Sequence, residues 1–513
     1  MVGAGHIRQV LSPGAPTDGL TVDVHGLIVA PGFIDMHAHS DLAVLADPDH
    51  LAKTLQGVTT EVCGQDGLSY APVSDRTLSR MVDQLAGWNG IPELAFDWRT
   101  VGEYLDRVDR GAAVNVAYLV PHGTVRLEVM GDGGRPPTET ELFAMRGLVE
   151  QGLREGAVGL STGLTYVPGM FAEDDEIVSL CEPLRRHGGY YCTHHRNYGI
   201  RVVEAYQEAI DLGRRTAVPL HLAHCHVNFP QNRYRAVEVL DMIDRAIDGG
   251  MDVTLDSYPY LAGATYLHSL LPSWVQSGGT DEIVRRLRDR PTRSQVIHDL
   301  EVVGSDGHHG VPVDWSSIVL AGVTDPELRA WAGRSIADLA RDAATPPGEL
   351  YLDILVADEL RSACRVEVGN EENVRAVMAH RAHMVGTDGI LVGDVPHPRG
   401  WGTYPRYLGH YVRELGILTL EEAVARMTGR PANRLGLDDR GRVLEGAAAD
   451  LVVFDPVTVD SGATYEDPRR HPQGIVHVLV NGRFTVRDGQ RTGALPGRAI
   501  RRRPSVLATS QRV

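Results

Sequence analysis

The feature that most constrains this chain is an alternation of eight short apolar segments with longer amphipathic ones. The short segments are Gly32–His37, Val58–Cys63, Val114–Val120, Ala157–Leu160, Gly189–Thr193, Val218–His224, Met251–Leu255 and His383–Gly386. Apolar runs of this length, separated by helical stretches, read as strands of a parallel sheet. Eight such units predict an α/β fold, a closed (β/α)8 TIM-like barrel, over residues 30–442. Between the seventh and eighth segments lies residues 267–375, rich in charge and in helix formers, with helical periodicity over Ile283–Leu300 that is interrupted at Pro291. Structureless loops of that size are uncommon, so this stretch is expected to be an inserted, lid-like subdomain at the barrel mouth. The two ends read differently. Leu20–Val29, Asp450–Phe454, Gly474–Val480 and Arg483–Val486 are short β-rich runs, and Asn481-Gly482 is a tight-hairpin signal. Residues 1–29 and 443–513 are therefore expected to build one small β-sandwich beside the barrel.

A barrel gathers chemistry at the C-terminal ends of its strands. His37 and His39 close the first segment, and residues two apart on a strand point to the same face. A bare His-x-His is more often two polar loop residues than a metal site. Here it has partners: His194, His224 and Asp388 close the fifth, sixth and eighth segments. Imidazoles and a carboxylate converging on one point suit zinc or a similar divalent ion. His221 and His226 are further candidates. His221 lies three residues before His224, so strand parity sends it to the opposite face and marks it as structural. His195 alternates away from His194 in the same manner.

Composition narrows the partners. The 50 basic and 67 acidic side chains leave a net charge of −17, which repels phosphate backbones and argues against nucleic acid. No apolar run of about 18 residues is present to span a bilayer, and no basic segment followed by an apolar run marks a leader. The five cysteines, Cys63, Cys181, Cys192, Cys225 and Cys364, are scattered and lack Cys-x-x-Cys spacing. That pattern predicts a reducing, cytoplasmic setting rather than a disulfide framework. The expected partner is a small-molecule substrate, with no membrane; a homo-oligomer is compatible with the sequence. The basic run Arg501–Arg503 reads as a solvated tail.

Taken with these sites, the chain resembles the N-acyl-D-amino-acid deacylase (D-aminoacylase) family of the metal-dependent amidohydrolase superfamily, almost end to end. The resemblance is carried by Pro31–Asp41, Gly57-Val58-Thr59-Thr60, His122-Gly123-Thr124-Val125-Arg126, Gly159–Leu164 with Tyr166, and Thr193-His194-His195-Arg196. It continues through Tyr258-Pro259-Tyr260, Gly386-Thr387-Asp388-Gly389, His397-Pro398-Arg399 and the hairpin Val478–Gly482. It implies that His37 and His39, with Asp388, hold a more exposed ion, and that His194 and His224 hold a more buried one. A cysteine that bridges the two sites in that family is matched here by Asp66, within Gly64-Gln65-Asp66-Gly67. A carboxylate can bridge two divalent ions or bind one. It is harder than a thiolate, so manganese, iron or cobalt join zinc as the expected metal, with one or two ions. Cys63 lies three residues earlier and reads as a buried strand cysteine. The resemblance further assigns Arg399 to the substrate carboxylate and Tyr166 and Tyr258 to substrate binding or amide polarisation. His226 stands where the family has a lysine, so the substrate-binding set loses a permanent cation. Only 36 residues precede His37, fewer than is usual in that family, so part of the sandwich is expected to be missing or to lie upstream.

These readings predict hydrolysis of the amide bond of an N-acyl-D-amino acid by a water that a metal ion acidifies. Asp388 would bind metal, take the proton and pass it to the leaving nitrogen. Two other readings stand beside this one. Asp66 and His226 mark departures that fit a cyclic amide or imide hydrolase on the same scaffold. A non-catalytic binding protein is the third, and the presence of Asp388 beside the other ligands argues against it.

Overall fold

A computed structural model of the chain describes residues 1–12, 15 and 19–502. Eight parallel strands form one sheet in sequence order: Phe33–Asp35, Val58–Cys63, Asn115–Pro121, Gly159–Gly163, Tyr190–His194, Leu220–Leu222, Val253–Ser257 and His383–Val385. The first and last strands meet to close the barrel. Met36 N donates to Val385 O (3.3 Å), Asp388 N donates to His37 O (2.8 Å), and Ala38 pairs with Gly389. Ile34, Met36, Val62, Leu119, Tyr190 and Met384 fill the interior, and a larger apolar cluster joins the strands to the surrounding helices. The expected barrel is present, with shifted edges. The fourth strand runs over Gly159–Gly163 rather than Ala157–Leu160, because Ala157 N bonds back to Gly152 O (2.9 Å) and still belongs to the preceding turn. The seventh moves forward in the same way, to Val253–Ser257. The sixth shrinks to Leu220–Leu222, since Pro219 has no N–H to give and His224 has left-handed backbone at φ 28°.

The stretch after the seventh strand carries its own sheet and core. Gly263–Tyr266, Ala363–Val366 and Ile318–Gly322 pair antiparallel, with Ala363–Val366 in the middle. Leu267, Leu287, Tyr351 and Leu355 form one apolar cluster with Ile318 and Leu320 of that sheet. The predicted helix breaks at Asp289, whose carboxylate caps Thr292 N (3.1 Å), and Pro291 sits in the first turn of the following helix, where its missing N–H costs nothing.

The chain ends meet in a five-stranded antiparallel sheet, in the order Gln490–Arg491, Arg483–Arg487, Ile475–Val480, Leu451–Phe454 and Ile28–Pro31. A short ribbon, Val2–Gly3 with His6–Ile7, lays Ile7 against Leu451 and Leu479 to complete the small sandwich. Of the β-rich run expected at Leu20–Val29, only Ile28 and Val29 enter a strand. The basic run near the C-terminus is not a free tail through Arg502. Arg501 pairs with Asp106 and Asp109, and Arg502 N donates to Gly156 O (3.0 Å); Arg503 lies outside the described residues. No helix among the described residues is long and apolar enough to cross a membrane.

Candidate metal centre

The C-terminal ends of five strands bring six side chains to one point at the barrel mouth. His37 and His39 follow the first strand, Asp66 the second, His194 ends the fifth, His224 follows the sixth and Asp388 the eighth. Their ligand atoms form two overlapping groups: His37, His39, Asp66 and Asp388; and Asp66, His194 and His224. Asp66 is common to both. Its Oδ1 lies 3.4 Å from His37 Nε2, and its Oδ2 lies 3.5 Å from His39 Nε2, 3.3 Å from His194 Nδ1 and 3.4 Å from His224 Nε2. Asp388 Oδ1 is 3.1 Å from His39 Nε2 and 3.7 Å from His37 Nε2. Cys63 packs in the core between barrel and helices and offers no atom to either group.

Three of these residues hold uncommon backbone. Asp66, His224 and Asp388 have φ of 54°, 28° and 48°. Each such conformation costs a non-glycine residue about 1–3 kcal/mol, and persists where its surroundings impose it. At His224 the kink has a visible use. His221 and Ala223 face the barrel interior, so strand parity would turn His224 outward; the left-handed turn swings its imidazole back to the mouth. Close packing holds the other elements. A Cβ on Gly163 would lie 2.0 Å from Asp66 O, and one on Gly386 would lie 2.7 Å from His37 Cβ.

The electrostatics are those of a site built for cations. Burial pushes the Asp66 carboxyl up, but His37, His224 and His194 hold it well below the usual carboxylate range. Burial pushes the Asp388 carboxyl up as well, and Arg399 and His37 outweigh it. Burial would lower the His37 imidazole, yet Asp66, Asp256 and Asp388 raise it well above its ordinary value. His194 goes the other way, pushed down to about 4 by burial. Both ring nitrogens of His37 and Oδ1 of Asp66 are buried with no hydrogen-bond partner. Buried polar atoms of this kind are costly unless something binds them. A divalent ion fits that need and this imidazole–carboxylate donor set. All four histidines are buried, His37 and His39 at 0% and 3% exposure and His194 and His224 at 6% and 5%, and all but His37 line the pocket.

Around the cluster stand groups that orient it. Thr165 Oγ1 contacts His194 Nε2 at 2.6 Å, Tyr198 OH contacts His224 Nδ1 at 2.9 Å, and Asp256 lies behind His37 and His224. None of the three was among the residues expected at the site. Asp256 carried a signal, a carboxylate near the end of the seventh strand, whereas Thr165 and Tyr198 sit on loops that no periodicity marks.

The predicted substrate-binding residues converge on the same pocket. Tyr166, His226, Tyr258 and Arg399 line it, together with Trp88, Phe229 and Leu270. Tyr166 OH pairs with Thr265 Oγ1 (3.2 Å), and its ring abuts Trp88 and His194. Arg399 lies over the Tyr258 ring at 4.5 Å. Its Nη1 is 2.9 Å from Asp388 Oδ2, and its Nη2 donates to Ala264 O at 3.1 Å. His226 packs on Tyr258, 4.3 Å between ring centres, with Nε2 unpartnered; burial pushes it down to about 3. The stretch after the seventh strand adds Ser269, His308 and His309 to the wall, residues that no motif or spacing marks.

Comparison with known proteins places this geometry. The profile described as "Amidohydrolase family" matches residues 20–486. A D-aminoacylase from Alcaligenes xylosoxydans xylosoxydans is 37% identical over 94% of this chain and 89% of its own. An N-acyl-D-aspartate deacylase from the same organism is 37% identical over 95% and 87%. The crystal structure of an N-acyl-D-glutamate deacylase from Bordetella bronchiseptica, complexed with zinc and a phosphonate mimic of the tetrahedral intermediate, superposes with a TM-score of 0.82. It shares 33% identity and covers 98% of this chain and 94% of its own.

Proposed function

The chain belongs to the amidohydrolase family, in its D-aminoacylase branch, and from that premise we propose that it hydrolyses N-acyl-D-amino acids at a divalent metal centre built on His37, His39, Asp66, His194, His224 and Asp388. The observation that carries this reading is the convergence of those six side chains beside Arg399 in one pocket. Zinc is the first choice of metal, supported by the donor set and by the zinc complex of the Bordetella enzyme; Asp66 keeps manganese, iron and cobalt in play.

Bound there, a divalent cation supplies Lewis acidity that acidifies water and polarises a carbonyl. Asp388 faces the pocket from the edge of the cluster. It accepts the proton of the attacking water and returns it to the leaving nitrogen. Arg399 turns its planar fork to the substrate carboxylate, which fixes the scissile carbonyl near the cluster. Tyr166 and Tyr258 present their hydroxyls where the oxyanion develops, and Trp88, Phe229 and Leu270 keep bulk water out. Residues 267–375 act as the lid, supported by the pocket positions of Ser269, Leu270 and His308. The five free, buried cysteines support a cytoplasmic location.

The test is a panel of N-acetyl-D-amino acids, their L-enantiomers and cyclic hydantoins and imides, assayed with zinc, manganese or cobalt added to metal-depleted protein. Turnover confined to the D-series supports the proposal. Turnover confined to the cyclic amides would replace it with the cyclic-amide reading.

A further inference from the structure

A chain of polar side chains runs through the barrel from exposed Asp252 at its lower end to fully buried Asp256 at the back of the metal cluster. At the bottom, Arg434 holds Asp252 (2.6 and 3.2 Å) and donates from Nε to Thr254 Oγ1 at 2.8 Å. Thr254 Oγ1 meets His221 Nδ1 at 2.8 Å, and His221 Nε2 meets Asp256 Oδ2 at 2.8 Å. The register explains the contacts: Thr254 is the pairing partner of His221 across the sixth and seventh strands, and Asp256 is two residues on, on the same face. Arg434 can only donate to Thr254 and an ionised Asp256 can only accept from His221 Nε2, so a neutral His221 accepts at Nδ1 from the Thr254 hydroxyl. Asp256, fully buried, then reaches both halves of the cluster. Its Oδ2 faces His37 Nδ1 at 3.5 Å, a charge contact rather than an aligned hydrogen bond, and its Oδ1 accepts from the backbone N–H of His224 at 3.0 Å. Gly386 leaves the room: a Cβ there would fall 2.9 Å from Asp256 Oδ1.

We propose that Asp256 is a positioning residue that couples the two metal subsites, and that the His221–Thr254–Arg434 chain holds it in register. Facing Nδ1 of His37, the carboxylate selects the tautomer whose Nε2 lone pair points at Asp66 and Asp388. Bonded to His224 N, it anchors the left-handed residue that carries the other subsite's imidazole. One side chain thereby sets a ligand in each group, and His221 is part of the metal centre's support rather than core filling. The inference rests on the metal centre proposed above but not on the substrate, because its test reads metal binding.

The experiment is titration of metal-depleted protein with zinc alone against a chromophoric chelator, with the visible spectrum of the cobalt-loaded protein as a second signal. Asp256→Asn is expected to weaken both ions by about 10–100-fold and to alter the cobalt spectrum. Thr254→Val, two links away, is expected to weaken both by a smaller factor in the same direction. Asp256→Asn with wild-type affinity for both ions and an unchanged cobalt spectrum overturns the proposal, and a loss confined to one ion overturns the coupling. Should Asp256→Asn not fold, Thr254→Val decides alone: unchanged zinc affinity overturns the proposal.

Discussion

Arg399 Nη1 lies 2.9 Å from Asp388 Oδ2, so the cation expected to grip the substrate is paired with the carboxylate expected to move the proton. Both are buried, Arg399 completely. Its Nε and Nη1 find no well-aligned acceptor, which leaves donors free for an incoming carboxylate. The pair links binding to chemistry, since a substrate carboxylate that engages Arg399 competes for the partner of Asp388.

Truncating one member of a buried charge pair costs about 2 kcal/mol or more, because the other charge is left unpaired. Arg399→Met is therefore expected to lower kcat/KM by about 30-fold or more, with KM raised and kcat reduced together. Asp388→Asn is expected to abolish turnover while the far-ultraviolet circular dichroism stays unchanged. Steady-state kinetics on both variants checks this; an Asp388→Asn enzyme that kept most of its activity would remove Asp388 from proton transfer.

Asp66 faces all four histidines of the cluster, so its loss should be felt at both subsites. Asp66→Ala is expected to reduce bound metal per chain in elemental analysis and to make the enzyme more sensitive to chelators. Asp66→Cys keeps an anion common to the two ligand groups but softens it, and should shift the preferred metal toward zinc and away from manganese.

Among the described residues lining the pocket, Arg399 is the one arginine or lysine. His226 is pushed down to about 3 by burial, and burial lowers His308 and His309 as well, so these rings enter neutral. With Arg399 committed to the α-carboxylate, nothing pairs a second acidic group. N-acetyl-D-phenylalanine and N-acetyl-D-leucine are expected to exceed N-acetyl-D-aspartate in kcat/KM by about tenfold or more. His226→Lys should narrow that ratio. A wild-type preference for the acidic substrates would contradict this view of the pocket.

His268 is buried beneath the inserted sheet, donates Nδ1 to Leu360 O at 2.9 Å, and is pushed down to about 3 by burial. An unfolded histidine titrates near 6.5, so between about pH 6.5 and 3 the unfolded chain binds the extra proton. The stabilising effect of the neutral ring is complete above that window and is lost as pH falls through it. The apparent unfolding midpoint of His268→Phe is therefore expected to fall less steeply with acid than that of the wild type, whatever its value at neutral pH. Parallel slopes would show that His268 does not titrate on unfolding.

Much of this molecule was legible in one dimension. The spacing of apolar runs pointed to the barrel, because parallel strands need both faces covered and eight of them alternating with helices are enough to close on themselves. His37, His39, His194, His224 and Asp388 were readable because strand ends in such a barrel must converge. Boundaries were less readable: whether Ala157 belongs to a strand is decided by its bond back to Gly152, which no pattern of hydrophobicity records.

What only the tertiary structure decided lies in positions that local rules cannot reach. Parity separated His221 from His224 and dismissed His221. The separation held along the strand, but the left-handed turn at His224 and the carboxylate of Asp256 brought both residues into contact with the same group. The pairing of Arg399 with Asp388, the placement of Asp66 between four imidazoles and the entry of His308 into the pocket have the same origin. A strand's period fixes where a side chain points within its own element. Where that side chain ends relative to another element is set by loop geometry and by burial of charge, and those are properties of the closed barrel as a whole.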